Sequence, residues 1–143
     1  VTKPGGRIVM GNWIPGDPTL VAQILKISAA YAPPPPEGFV SPVSWGVEET
    51  VRERFGAAGI RADAINCTPA MYEFRYPHPP AALLDAFRLY YGPTMNAFEA
   101  AARTGREDAL RAELLALFEA HNDASSNETV IAARYLKVIV DKP

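Results

Sequence analysis

Six residues of this 143-residue chain have the types and placement to hold a small molecule: Asn12, Trp13, Trp45, Tyr90, Tyr91 and Met95. Asn12 and Trp13 follow a short apolar run, RIVMG, from Arg7 to Gly11. Open α/β sheets bind ligands just beyond the carboxyl ends of their strands, so this pair stands where a pocket would be lined. Tyr90 and Tyr91 precede Gly92-Pro93, where a proline interrupts the helical hydrogen-bond ladder, and they can offer a phenol or a ring face to an acceptor. If Trp13, Phe39, Trp45, Tyr90 and Met95 converge, the lining suits a small or medium apolar molecule better than a nucleic acid or a protein tail. A packing role stands beside each of these: Asn12 can satisfy loop backbone groups, Trp13 can pack on a helix, and a Tyr, Trp or Met at helical spacing can belong to a core.

Other chemistries lack their residues. His78 lies between prolines as a candidate general base. His121 falls at a helix end, where an imidazole complements the dipole. Two histidines so far apart, one cysteine and no close carboxylate pair give no metal-ligand spacing. There is no G-x-S-x-G elbow, no phosphate-binding P-loop and no local Cys/His signature. A net charge of -2 provides no basic field for a phosphate backbone, so no nucleic-acid partner is expected. No apolar run reaches the ~18 residues of a membrane span, and Lys3 followed by glycines is not a secretory signal, so a cytoplasmic protein is expected. Cys67 has no internal disulfide partner, and the sequons at Asn66 and Asn127 are read as chance.

These residues need elements to position them. At 48% hydrophobic and 21% charged, the chain reads as one globular domain able to bury a sizeable core. The Pro4-Gly5-Gly6 turn hands over to Arg7–Gly11, whose apolar continuity predicts a strand buried on both faces, parallel and interior. Asp17-Pro18 predicts the start of a helix of about 13 residues that ends before the Pro33 to Pro36 run. Val47, Val51 and Phe55 predict a short helix stopped by Gly59. Ile60 to Tyr76 predicts one broken strand or two, with Pro69 at a bend or edge. From Pro80 a helical period runs to a break at Pro93 and restarts. Thr104 and Glu107 have the spacing of a capping box ahead of a helix carrying Leu110, Leu114 and Phe118, and Thr129 to Val140 predicts a closing strand.

Four segments together, KPGGRIVMGNW, WGVEETVRERFGAAGI, YYGPTMNAFEAA and YLKVIVDK, resemble the C-terminal half of a class I S-adenosylmethionine-dependent methyltransferase, and the resemblance covers essentially the whole chain. It implies a partial α/β fold: the C-terminal portion of a seven-stranded Rossmann-like sheet, with about three strands and four to five helices. Arg7–Gly11 would be the fifth strand, Ile60–Met71 or somewhat beyond the sixth, and Thr129–Val140 the seventh, inserted between them. The fifth strand then supplies a parallel strand and the other two an antiparallel pair. Residues 77–124 would form a helical substrate lid. The whole of 1–143 would be a single partial domain.

The glycine-rich turn and the acidic strand end that hold the cofactor in that family are missing. The resemblance therefore implies that S-adenosylmethionine serves the complete enzyme, that its binding half lies upstream, and that this chain alone binds none and is inactive. The acceptor would be a small molecule, with a Tyr ring also able to face the sulfonium. The fifth strand would have one edge uncovered, which predicts a homodimer through that edge. A free-standing α+β binding or interaction module without catalytic activity is the competing reading.

Overall fold

The computed structural model describes residues 2–125 and 127–142. Its elements are β1 (Arg7–Trp13), α1 (Leu20–Tyr31), α2 (Glu48–Ala57), β2 (Ile65–Tyr76), α3 (Pro80–Tyr90), α4 (Gly92–Arg103), α5 (Glu107–Ala120) and β3 (Thr129–Asp141), with short 3-10 turns at Pro42–Gly46 and Ala62–Ala64. Among the described residues the fold is mixed α/β, with five helices and an antiparallel sheet in the order β1-β3-β2. The closing strand is therefore the central one, and β1 and β2 run in the same direction on either side of it. Two compact units share the chain: Val1–Pro15, Val40–Tyr72 and Arg134–Pro143 form the first, and Gly16–Phe39 with Glu73–Ala133 the second.

In the first unit, β1 and β3 pair from Arg7↔Asp141 to Trp13↔Tyr135. One face is apolar: Leu136, Val138 and Val140 of β3 and Ile65 of β2 bury themselves with Val51 of α2, and Ile8, Met10, Ile14, Trp45, Phe55 and Cys67 pack around them. On the other face stand the cross-strand pairs Arg7/Asp141, joined by a 2.6 Å ion pair, Val9/Ile139, Gly11/Lys137 and Trp13/Tyr135. Val51 sits one turn from Phe55, so α2 presents a single apolar stripe to the sheet, and Gly59 at φ 82° ends the segment as expected. Arg52 ties the end of this segment down by donating to Glu48, Ala62 O and Ile65 O.

In the second unit, α1 packs on α4 and α5, and α3 packs on the same two helices. Their shared core holds Leu20, Ile24, Leu84, Phe98, Leu110, Leu114 and Phe118, with Ile131 from the first half of β3. The break at Gly92-Pro93 is a full restart: Tyr91 is extended between α3 and α4, its N–H donating to Phe87 O and its carbonyl accepting from Met95 N. Arg88 pairs with Glu107 and Arg111 with Asp85, each linking α3 to α5.

Four expectations are corrected. Arg7–Gly11 is neither interior nor buried on both faces: β1 is an edge strand antiparallel to its neighbour, and the pleat leaves Arg7, Val9 and Gly11 exposed opposite the packed Ile8 and Met10. Asp17 does not cap α1. Its carboxylate accepts from the N–H and hydroxyl of Thr19, and the helix begins at Leu20. The sixth-strand candidate starts at Ile65, because residues 62–64 form a 3-10 turn, and it then runs unbroken through Pro69, which an edge strand tolerates. Thr104 forms no capping box: its hydroxyl donates back to Ala101 O, and Gly105 at φ 66° turns the chain out of α4, so α5 starts only at Glu107.

Candidate functional site

At the carboxyl end of β1, Asn12 lies on the same side of the strand as Met10 and Ile14. Its Nδ2 is buried with no hydrogen-bond partner among the described residues. An orphaned buried donor costs about 1–3 kcal/mol, so this amide is a group for which a bound molecule could supply the missing acceptor. The Trp13 ring meets Tyr135 edge-on at 6.2 Å. Its carbonyl is closely approached by Gly46: a Cβ built there would lie 1.9 Å from Trp13 O, so only glycine lets the 3-10 turn close over the end of β1. That contact holds Trp45, the neighbour of Gly46, near the end of β1. The Trp45 indole is itself occupied, edge-on to Phe55 at 6.0 Å and with the Arg54 guanidinium 4.4 Å from its centroid.

The other three candidates belong to the second unit, at the α3–α4 corner. Tyr90 is 83% exposed, and Met95 is 44% exposed one turn into α4. Tyr91 is half-buried with its ring edge-on to Phe87 at 5.3 Å. The structure thus assembles Asn12, Trp13 and Trp45 in one unit and Tyr90, Tyr91 and Met95 in the other.

His78 is exposed and stacks edge-on against Tyr76 at 5.3 Å, and its carbonyl accepts from the buried Thr129 hydroxyl. Beside it, Arg75, Tyr76, Pro77, Glu128, Thr129 and Val130 line a shallow cavity of about 210 Å³. His121 closes α5: Nδ1 lies 2.9 Å from Leu117 O and Nε2 3.1 Å from Pro18 O, so the ring bridges the helix end to the segment leading into α1. Neither Tyr135 nor Arg54 was a sequence candidate. Their roles depend on strand register and on a loop packing back against a helix, for which spacing carries no signal.

Cys67 packs against the first core, and burial pushes its thiol above the ordinary value. The Glu48 carboxylate adds to the rise and the Arg52 guanidinium opposes it. The thiolate is the reactive form, so iodoacetamide is expected to alkylate Cys67 more slowly than free cysteine at neutral pH, with a rate that climbs as pH rises. Alkylation as fast as free cysteine would show an accessible, ionised thiol. Among the described residues no group of three or more His, Cys, Asp or Glu is placed to hold a metal ion, and no helix is long and apolar enough to cross a membrane. The chain matches no known family profile and no curated protein.

Proposed function

We propose that this chain is the C-terminal, acceptor-binding half of a class I S-adenosylmethionine-dependent methyltransferase acting on a small or medium apolar acceptor. The observation that carries the reading is the strand order β1-β3-β2, with the last strand antiparallel in the centre and β1 entered through a Pro-Gly-Gly turn whose Gly5 has φ 72°. That is the order of fifth, seventh and sixth strands in the fold the sequence resembles. The helices α3, α4 and α5 fall where that fold's substrate lid would be inserted. On this reading Asn12 donates to a polar atom of the acceptor, while Trp13 beside it supplies apolar surface that positions it and excludes water.

The residues present do not fit the cofactor. β1 runs out into Ile14-Pro15 and β2 into Pro77, neither with a glycine-rich turn, and the acidic residue ending β3, Asp141, is paired with Arg7. No chemical step is assigned to this chain on that account, and on this reading the cofactor site lies in sequence outside these 143 residues.

Calorimetry tests the proposal. S-adenosylmethionine titrated into the 143-residue chain is expected to give no binding heat, and the polypeptide encoded with its upstream sequence to bind at micromolar concentration. The same longer protein should transfer a methyl group to an apolar acceptor and lose most of that turnover in Asn12→Ala, with little change in melting temperature. Binding by the short chain, or upstream sequence without a strand followed by G-x-G, would overturn the assignment.

A further inference from the structure

The free side of β1 has a defined hydrogen-bonding phase. Lys142 N donates to Gly6 O, and the β1–β3 register continues from that pair without a slip. In an antiparallel ladder alternate residues bond to the neighbour, so β1 bonds to β3 through its even residues and turns the N–H and C=O groups of Arg7, Val9 and Gly11 away from it. All three residues are exposed, Val9 at 62%. The next odd residue, Trp13, has its carbonyl closed off by Gly46. Among the described residues a run of three odd residues is therefore left with unpaired backbone groups, in a strand whose residues 7–13 include no lysine or proline to blunt it, and its only charge, Arg7, is engaged by Asp141.

We infer that the 143-residue chain pairs with a second copy of itself through β1, antiparallel and centred on Val9. This register places Val9 against Val9 of the partner subunit and Arg7 against Gly11 of the partner subunit, and it is the one in which all three free residues pair in bonded positions. It is also self-complementary in charge. Each Arg7 faces a glycine, and the two guanidiniums stand four residues, about 13 Å, apart along the strand. Two three-stranded sheets become one of six strands, and the two-fold axis closes the β1 interface on itself, leaving the two β2 strands as the outer edges. The inference does not rest on the methyltransferase reading. In a longer polypeptide that supplies its own strand to this edge, the two pairings exclude one another.

Light scattering on the 143-residue chain should give twice 15.5 kDa at high micromolar concentration and fall toward the single mass on dilution. Hydrogen exchange should locate the contact: the amides of Arg7, Val9 and Gly11 gain protection as concentration rises, while those of Ile8, Met10 and Asn12 are protected throughout. Val9→Lys sets two ammonium groups against each other on the axis and is expected to abolish the dimer with an unchanged circular dichroism spectrum. If that variant does not fold, the wild-type exchange pattern decides alone. A single mass at every concentration would overturn the inference, as would a dimer whose odd β1 amides exchange freely or odd amides protected at all dilutions.

Discussion

Replacing Gly46 with alanine is expected to destabilise the first unit by at least about 3 kcal/mol, enough to lower the melting temperature of a chain this size by roughly 10 °C. The new Cβ would lie 1.9 Å from Trp13 O and 2.8 Å from Trp13 C, both backbone atoms that no side-chain rotation can move aside. Neither partner can retreat cheaply. Trp13 is held in register with Tyr135 of β3, and the turn is tied by Val47 N donating to Ser44 O and packed through Trp45 onto the core. Gly56→Ala is the internal control. That glycine lies late in α2 with no atom within 4 Å of a built Cβ, so alanine there should be neutral or stabilise by about 0.5–1 kcal/mol. Thermal unfolding of the two variants side by side checks the pair, and an unchanged melting temperature in Gly46→Ala would mean that the turn does not close on β1 in this way.

Phe118→Ala is expected to cost about 3–5 kcal/mol, the other large effect, and it acts on the second unit. Phe118 has no exposed surface and heads the fully buried side chains by volume. Its ring meets Phe87 edge-on at 5.4 Å, and Phe87 in turn meets Phe74 at 5.5 Å and Tyr91 at 5.3 Å, so deletion opens a cavity at one end of a linked set of rings. Close packing leaves nothing mobile to fill it. Tyr90, three residues beyond Phe87 on α3, provides the contrast: at 83% exposed, its truncation should change stability by no more than about 0.5 kcal/mol. Urea midpoints for both variants measure the difference, and a Phe118→Ala midpoint equal to that of the wild type would place the ring outside the core.

Much of the secondary structure was legible because its causes are local. Val47, Val51 and Phe55 lie one helical turn apart, Pro93 cannot accept the hydrogen-bonding role of a helix interior, and Leu110, Leu114 and Phe118 repeat along one face; α2, the α3–α4 break and α5 follow from those spacings. Cap positions were misread where two local rules competed. The Thr104–Glu107 spacing satisfied the capping-box pattern, but Gly105 takes the left-handed turn that ends α4, and Thr104 then serves the helix behind it.

The candidate site was legible only as residue types. Asn12, Trp13 and Trp45 do gather in one unit, yet the gathering depends on Gly46 meeting a carbonyl 33 positions earlier, and the Trp45 ring is engaged by Arg54 and Phe55. Tyr90 and Tyr91 are adjacent in sequence and differ in exposure because the extended residue between two helices turns one ring toward Phe87 and leaves the other in solvent. An aromatic residue announces itself by composition, while its partner is chosen by packing.

By itself the sequence determined where helices and strands occur, since helical period, β-branching and the dihedral limits of glycine and proline act within a few residues. Only the tertiary structure decided which faces are buried. In β3 the buried positions are Thr129, Ile131 and Ala133 in the first half but Leu136, Val138 and Val140 in the second, so the parity changes at Arg134-Tyr135, where one unit gives way to the other. In β2 the more buried positions likewise pass from Ile65 and Cys67 to Ala70, Phe74 and Tyr76 across Thr68-Pro69. The strand sequence VIAARYLKVIV carries apolar side chains on both parities, and a pleat offers two faces of equal local energy. Which face is covered is settled by helices that approach from far along the chain, and so is the edge position of β1, whose partner Asp141 lies 134 residues from Arg7.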